Sequence, residues 1–128
     1  MGMDQTVSFV GRPAPTWAVV AALLRQRGFP VQMRMIDGQP AFPDEAPPEP
    51  WRELRVGTPA GMVTLRREPD RVVLVTWGNA EGELRQAWNA LTWALAEVGA
   101  GHVLTPRGPV TAEQYRRSAD LPAALRPD

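Results

Sequence analysis

The chain has no lysine, no cysteine and a single histidine, His102, among its 128 residues. Those absences remove most of the chemistry open to a small enzyme. A Schiff-base amine, a P-loop lysine, a thiolate nucleophile and a Cys/His zinc site each need a side chain that is missing, so no cofactor or metal is expected. Charge of one sign is also lacking: 14 arginines balance 14 acidic residues, and no net field draws the chain to nucleic acid or an anionic membrane. The longest uncharged apolar stretch, Ala14 to Leu24, is shorter than the ~20 residues needed to cross a bilayer. The first residues carry neither a basic segment nor an apolar one of the kind that directs export, which makes a cytoplasmic location the expectation.

What is present reads as one α+β domain over residues 1–118. Thr6 to Val10 alternates polar and apolar residues and predicts a short strand ending at Gly11. Pro13 and Pro15 sit where a missing N–H costs least, with Thr16 as the boundary of a helix that buries Trp17, Val20, Ala21 and Leu24 and stops at Gly28. Alternation from Phe29 to Ile36 predicts a second strand. The segment 37–50 is rich in proline and acid and reads as a solvent loop. Three strands follow over 51–56, 62–67 and 72–77. The last is so continuously apolar that cover on much of both faces is expected. Asn79 is the expected N-cap of a second helix, with Glu81 and Glu83 in its first turn and Gly99 as its stop. His102 to Thr105 predicts a further short strand, and Thr111-Ala-Glu-Gln114 a capping box that opens a short helix to Ser118. Residues 119–128 read as a loosely held tail.

The expected fold is therefore a mainly antiparallel sheet of five or six strands with two helices packed on one face. Its order is β-α-β-β-β-β-α, followed by a short strand and helix. In element order alone this is similar to TATA-binding-protein-like folds, a likeness of architecture that carries no activity with it.

Five groups of residues invite a functional reading. His102 titrates near neutrality when unperturbed, yet no Ser-His-Asp set can be assembled around it. Gly11-Arg12-Pro13 leads from a strand into a helix N-terminus at Thr16, where an anion would be favoured, although both prolines remove donors. Arg34, Arg55, Arg66, Arg67 and Arg71, with Trp51 as a stacking platform, make the nucleic-acid reading; Glu53 and Glu68 interrupt it. Pro40-x-x-Pro43 and Pro47-x-x-Pro50 formally match a polyproline ligand, a spacing that arises by chance in so proline-rich a stretch. Trp51 and Trp93 are the aromatics left over from the core stripes and are the expected interface anchors.

The leading expectation is a non-catalytic domain that works through protein association, a homodimer included, using Trp51 and Trp93 or a sheet edge. The alternative is a small anionic-ligand binder or weak hydrolase using Arg12, Thr16, Asn79 and His102, which requires the strands before the two helices to run parallel so that both turns share one edge. Nucleic-acid binding through the arginine-bearing sheet face ranks third.

Overall fold

Alternation of side chains across each strand divides this protein into a covered and an uncovered surface. The computed structural model describes residues 2–77 and 81–127. Its strands are β1 (Gly2–Ser8), β2 (Gln32–Ile36), β3 (Gln39–Pro40), β4 (Glu53–Thr58), β5 (Gly61–Glu68), β6 (Arg71–Trp77), β7 (His102–Thr105) and β8 (Gly108–Thr111). The helices are α1 (Trp17–Gln26), α2 (Gly82–Gly99) and α3 (Ala112–Ser118), followed by a 3-10 turn at Ala123–Leu125. One sheet holds all eight strands in the order β3-β2-β4-β5-β6-β1-β7-β8, with every neighbouring pair antiparallel.

The α+β antiparallel class agrees with the sequence reading, but eight strands and three helices replace the expected five or six and two. The additional strands, β3 and β8, contain Pro40 and Pro109 and form the two outer edges. Proline argues against a central strand because it cannot donate to the ladder, yet an edge tolerates it.

Val7, Met33, Leu54, Val56, Val63, Leu65, Val72, Leu74 and Val103 project from the inner face and are buried. Helix α2 packs on β1, β5, β6 and β7, with α1 and α3 against its flanks. Enclosed in this way, it is buried without interruption from Ala87 to Ala96. Full burial of each large apolar side chain favours folding by about 1.5–3 kcal/mol, so these rows supply the main driving force.

Local signals place most boundaries. Thr16 is the N-cap of α1 in an extended conformation, although its side chain makes no capping bond, and Gly28 ends the turn at φ +80°. The capping box of α3 forms as expected: Gln114 N–H donates to Thr111 Oγ1 at 3.1 Å and Thr111 N–H to Gln114 Oε1 at 2.9 Å. Helix α2 departs from expectation at both ends. Asn79 lies outside the described residues, and the N-cap is Glu81, which leaves Glu83 as the acid of the first turn. Its left-handed C-terminal residue is Ala100, not Gly99. Gly99 and Gly101 serve close packing instead, since a Cβ on Gly101 would come within 2.8 Å of the Phe9 ring.

The tail is docked rather than loose. Leu121 and Leu125 are fully buried. Arg116 Nε donates to the carbonyl of Leu125, and Arg126 Nε to that of Leu121, each at 2.8 Å. The segment 37–50 is mostly exposed, as expected, but Met33 N–H donates to the Pro43 carbonyl at 2.9 Å and Ala41 N–H to that of Arg34 at 3.0 Å.

Candidate functional site

Among the described residues, no helix packs on the outer sheet face. The strand registers arrange its side chains in rows across β4, β5, β6 and β1: Arg55, Thr64, Val75 and Asp4 in one, Glu53, Arg66, Val73 and Thr6 in the next. Glu68, Arg71 and Ser8 form a third, which continues to His102 on β7. At the opposite end Gly57 faces Met62, and Trp77 faces Gly2. The apolar members run diagonally through the middle, and Trp77 is 70% exposed. A depression of about 370 Å³ lies against it, lined by Arg55, Met62, Thr64, Val75 and Gly2. The expectation that β6 is covered on much of both faces is thus corrected: Val73 and Val75 are only partly buried because the helical cover among the described residues lies on the inner side.

Charges frame this stripe in mixed sign. Arg55 and Arg66 bracket Glu53, with Nε to carboxylate distances of 4.0 and 3.6 Å, and Arg71 approaches Glu68 and Asp70. Arg34 lies flat across Gly57, where a Cβ would stand 2.7 Å from its Nε.

Trp51 and Trp93, the expected interface anchors, are each 1% exposed and cannot serve a partner in this conformation. A strand starting at residue 51 would put Trp51 on the same face as Glu53 and Arg55, but the strand starts at Glu53. The N–H groups of Glu53 and Arg52 both donate to Asp37 Oδ1, at 2.8 and 2.7 Å, and turn the chain just before it. Those two bonds also hold the Asp37 carboxyl below its ordinary value. Trp51 therefore points inward beneath Arg67, whose guanidinium sits 4.2 Å from the ring centre and pairs with Glu49 at 2.8 Å. Arg67 accordingly leaves the proposed nucleic-acid surface. Trp93 lies between Arg27 and Arg116, 5.7 and 5.6 Å from its ring centre, at the seam that α1 and α3 close over α2. Neither indole N–H has an acceptor, so packing and cation–π contact hold both rings.

Of the four candidates for anion binding, Asn79 lies outside the described residues, and His102 stands opposite Ser8, at the end of β1 from which the chain enters the Arg12–Thr16 connection. Strands β1 and β6 are antiparallel neighbours, with Ser8 opposite Arg71 and Gly2 opposite Trp77. The chain therefore enters the Arg12–Thr16 connection at one end of the pair and leaves β6 at the other, about 20 Å away by strand rise. Parallel strands, which the shared-edge reading requires, do not occur here. Arg12 and Thr16 are exposed. His102 is exposed too, and borders a shallow depression with Glu97 and Glu113.

One buried polar cluster went unread in the sequence. Tyr115 Oη donates to Gln5 Oε1 at 2.8 Å, Gln5 Nε2 to Asn89 Oδ1 at 3.0 Å, and Asn89 Nδ2 to the Asp120 carbonyl at 2.8 Å. Burial pushes the Tyr115 phenol well above its ordinary value, against the opposing bonds from Gln5 and Thr92. A phenol that holds its proton so firmly, among amides that neither accept nor release one, makes a structural strut rather than a proton relay. Its signal was a Gln on the inward row of β1, legible only once that row was known to face α2.

Among the described residues no group of three or more histidine and acidic side chains is placed to hold a metal ion, and no helix is long and apolar enough to cross a membrane. Comparison with known proteins finds no family model that matches the chain, no similar curated protein and no similar solved structure.

Proposed function

We propose that this protein is a binding module that associates with protein through the uncovered sheet face, centred on Val73, Val75 and Trp77. The observation that carries the reading is the apolar stripe itself: Met62, Trp77 and Leu104 are exposed large hydrophobics on a face that no element among the described residues covers. A large aromatic surrounded by aliphatic side chains and rimmed by charge is the composition of an interface core. The rim favours a protein over a nucleic acid. Its arginines already share Glu53, Glu68 and Asp70, and a phosphate backbone would meet those carboxylates at every step.

Site-specific photocrosslinking in the cells that produce the chain tests this. A photoreactive residue in place of Trp77 is expected to form adducts of protein mass, whereas the same residue at Val19, exposed on α1, is not. Adducts confined to position 19, or absent from both, would reject the reading.

A further inference from the structure

Deepening that reading and resting on it, we infer that the partner is a second copy of this chain, stacked face to face about a two-fold axis that runs along the strands between β5 and β6. The sheet order places that line at its centre, with β3, β2, β4 and β5 on one side and β6, β1, β7 and β8 on the other. Rotation about it lays β5 over the partner's β6, β4 over its β1 and β2 over its β7. All eight strands overlap, and the mean strand directions stay within the ~30° that stacked, twisted sheets adopt.

Residue by residue, the face complements itself under this rotation. A two-fold axis along the strands keeps each row at its own height, so the contacts follow from the registers alone. Arg55 meets Asp4 of the other copy, and Asp4 meets its Arg55. Glu68 and Arg71 pair crosswise in the same way. Met62 falls on the partner's Trp77, a thioether on an aromatic ring, and Thr64 falls on its Val75. The partner's Gly2 falls on the Arg34 side chain where it covers Gly57, and Arg66 reaches the partner's Val73 while its charge stays with Glu53. Like charges face each other nowhere in these rows.

The area reaches the lower end of what a stable dimer needs. The six inner strands hold 37 residues, which at ~3.4 Å rise and ~4.8 Å spacing give about 600 Å² per copy. Stable interfaces cover roughly 600–1,000 Å² on each partner.

Sedimentation velocity on the full chain over a wide concentration range, with a charge swap, tests the arrangement. The wild type is expected to approach twice the 14.1 kDa monomer mass. Asp4→Arg and Arg55→Asp are each expected to weaken the dimer by about three- to tenfold, and the double variant to recover most of the loss. Within one copy these residues are three strands apart, about 14 Å, so only contact between copies can restore the pair. Val75→Arg, which buries a charge at the centre, is expected to weaken association roughly thirtyfold or more. Unfolding curves of each variant confirm that it folds. A chain that stays at 14.1 kDa throughout overturns the dimer. A dimer that is indifferent to Val75→Arg, or a swap that fails to recover, overturns this arrangement. If the monomer nonetheless crosslinks to a different protein through position 77, the sheet-face reading stands without the dimer; if no adduct forms, both fall.

Discussion

The Arg67 guanidinium stacks 4.2 Å from the centre of the Trp51 ring and is held there by Glu49 at 2.8 Å. This contact turns two residues that looked available for a ligand into part of the chain's own packing. Arg67→Lys keeps the charge but loses the planar stack, and is expected to cost about 1 kcal/mol in urea unfolding. Arg67→Ala should cost more, because the stem that covers the indole goes as well.

Tyr115→Phe deletes the donor to Gln5 Oε1 and leaves an acceptor buried without its partner. A loss of about 1–3 kcal/mol is expected. The pH dependence separates this from a simple packing defect. Tyr115 has its ordinary value of 10.0 in the unfolded chain and a higher one when folded, so the folded state retains a proton that the unfolded state releases. Stability from this group is complete below pH 10 and falls as pH rises beyond it. Alkaline unfolding of Tyr115→Phe should lack that component.

Asp37 shows the opposite sign. Its carboxyl is lowered from 3.8 by the N–H groups of Glu53 and Arg52, so its contribution is present above that value and is lost as pH falls through the folded one. Asp37→Ala should flatten the acid limb of stability against pH and speed amide exchange at Arg52 and Glu53. Asp37→Asn, which keeps an acceptor oxygen, should protect those amides to an intermediate degree.

Leu125→Ala is expected to cost about 2–5 kcal/mol in thermal or urea unfolding, the range for a fully buried leucine. Truncation after Asp120 also removes Leu121 and the carbonyls that Arg116 and Arg126 hold. It should destabilise the chain more than the point variant does. An unchanged midpoint for the truncated chain would mean that the tail is not part of the core.

Much of the architecture was readable because its signals are local. The 3.6-residue spacing of Trp17, Val20 and Leu24, the alternation in β2, β4 and β5, and the Thr111–Gln114 capping box each act within a few residues of themselves. The candidate site was far less legible. Trp51 broke the alternation because Asp37, distant in sequence, reshapes the chain ahead of β4. Trp93 is peripheral on an isolated helix and becomes central where α1 and α3 pack against α2. Trp77, the one exposed tryptophan, ends the most apolar strand and so gives no sign of facing water.

Periodicity and turn chemistry determined where most helices and strands form, and composition determined that the chain carries no amine or thiol side chain. Three-dimensional packing decided which side of the sheet stays bare, which tryptophans disappear into the core and which charges line up across the strands. The division has a physical cause. Backbone preferences and amphipathic stripes are properties of neighbours along the chain. Cover, by contrast, depends on where α1, α2 and α3 come to rest, which is settled by contacts between residues as far apart as Gln5 and Tyr115.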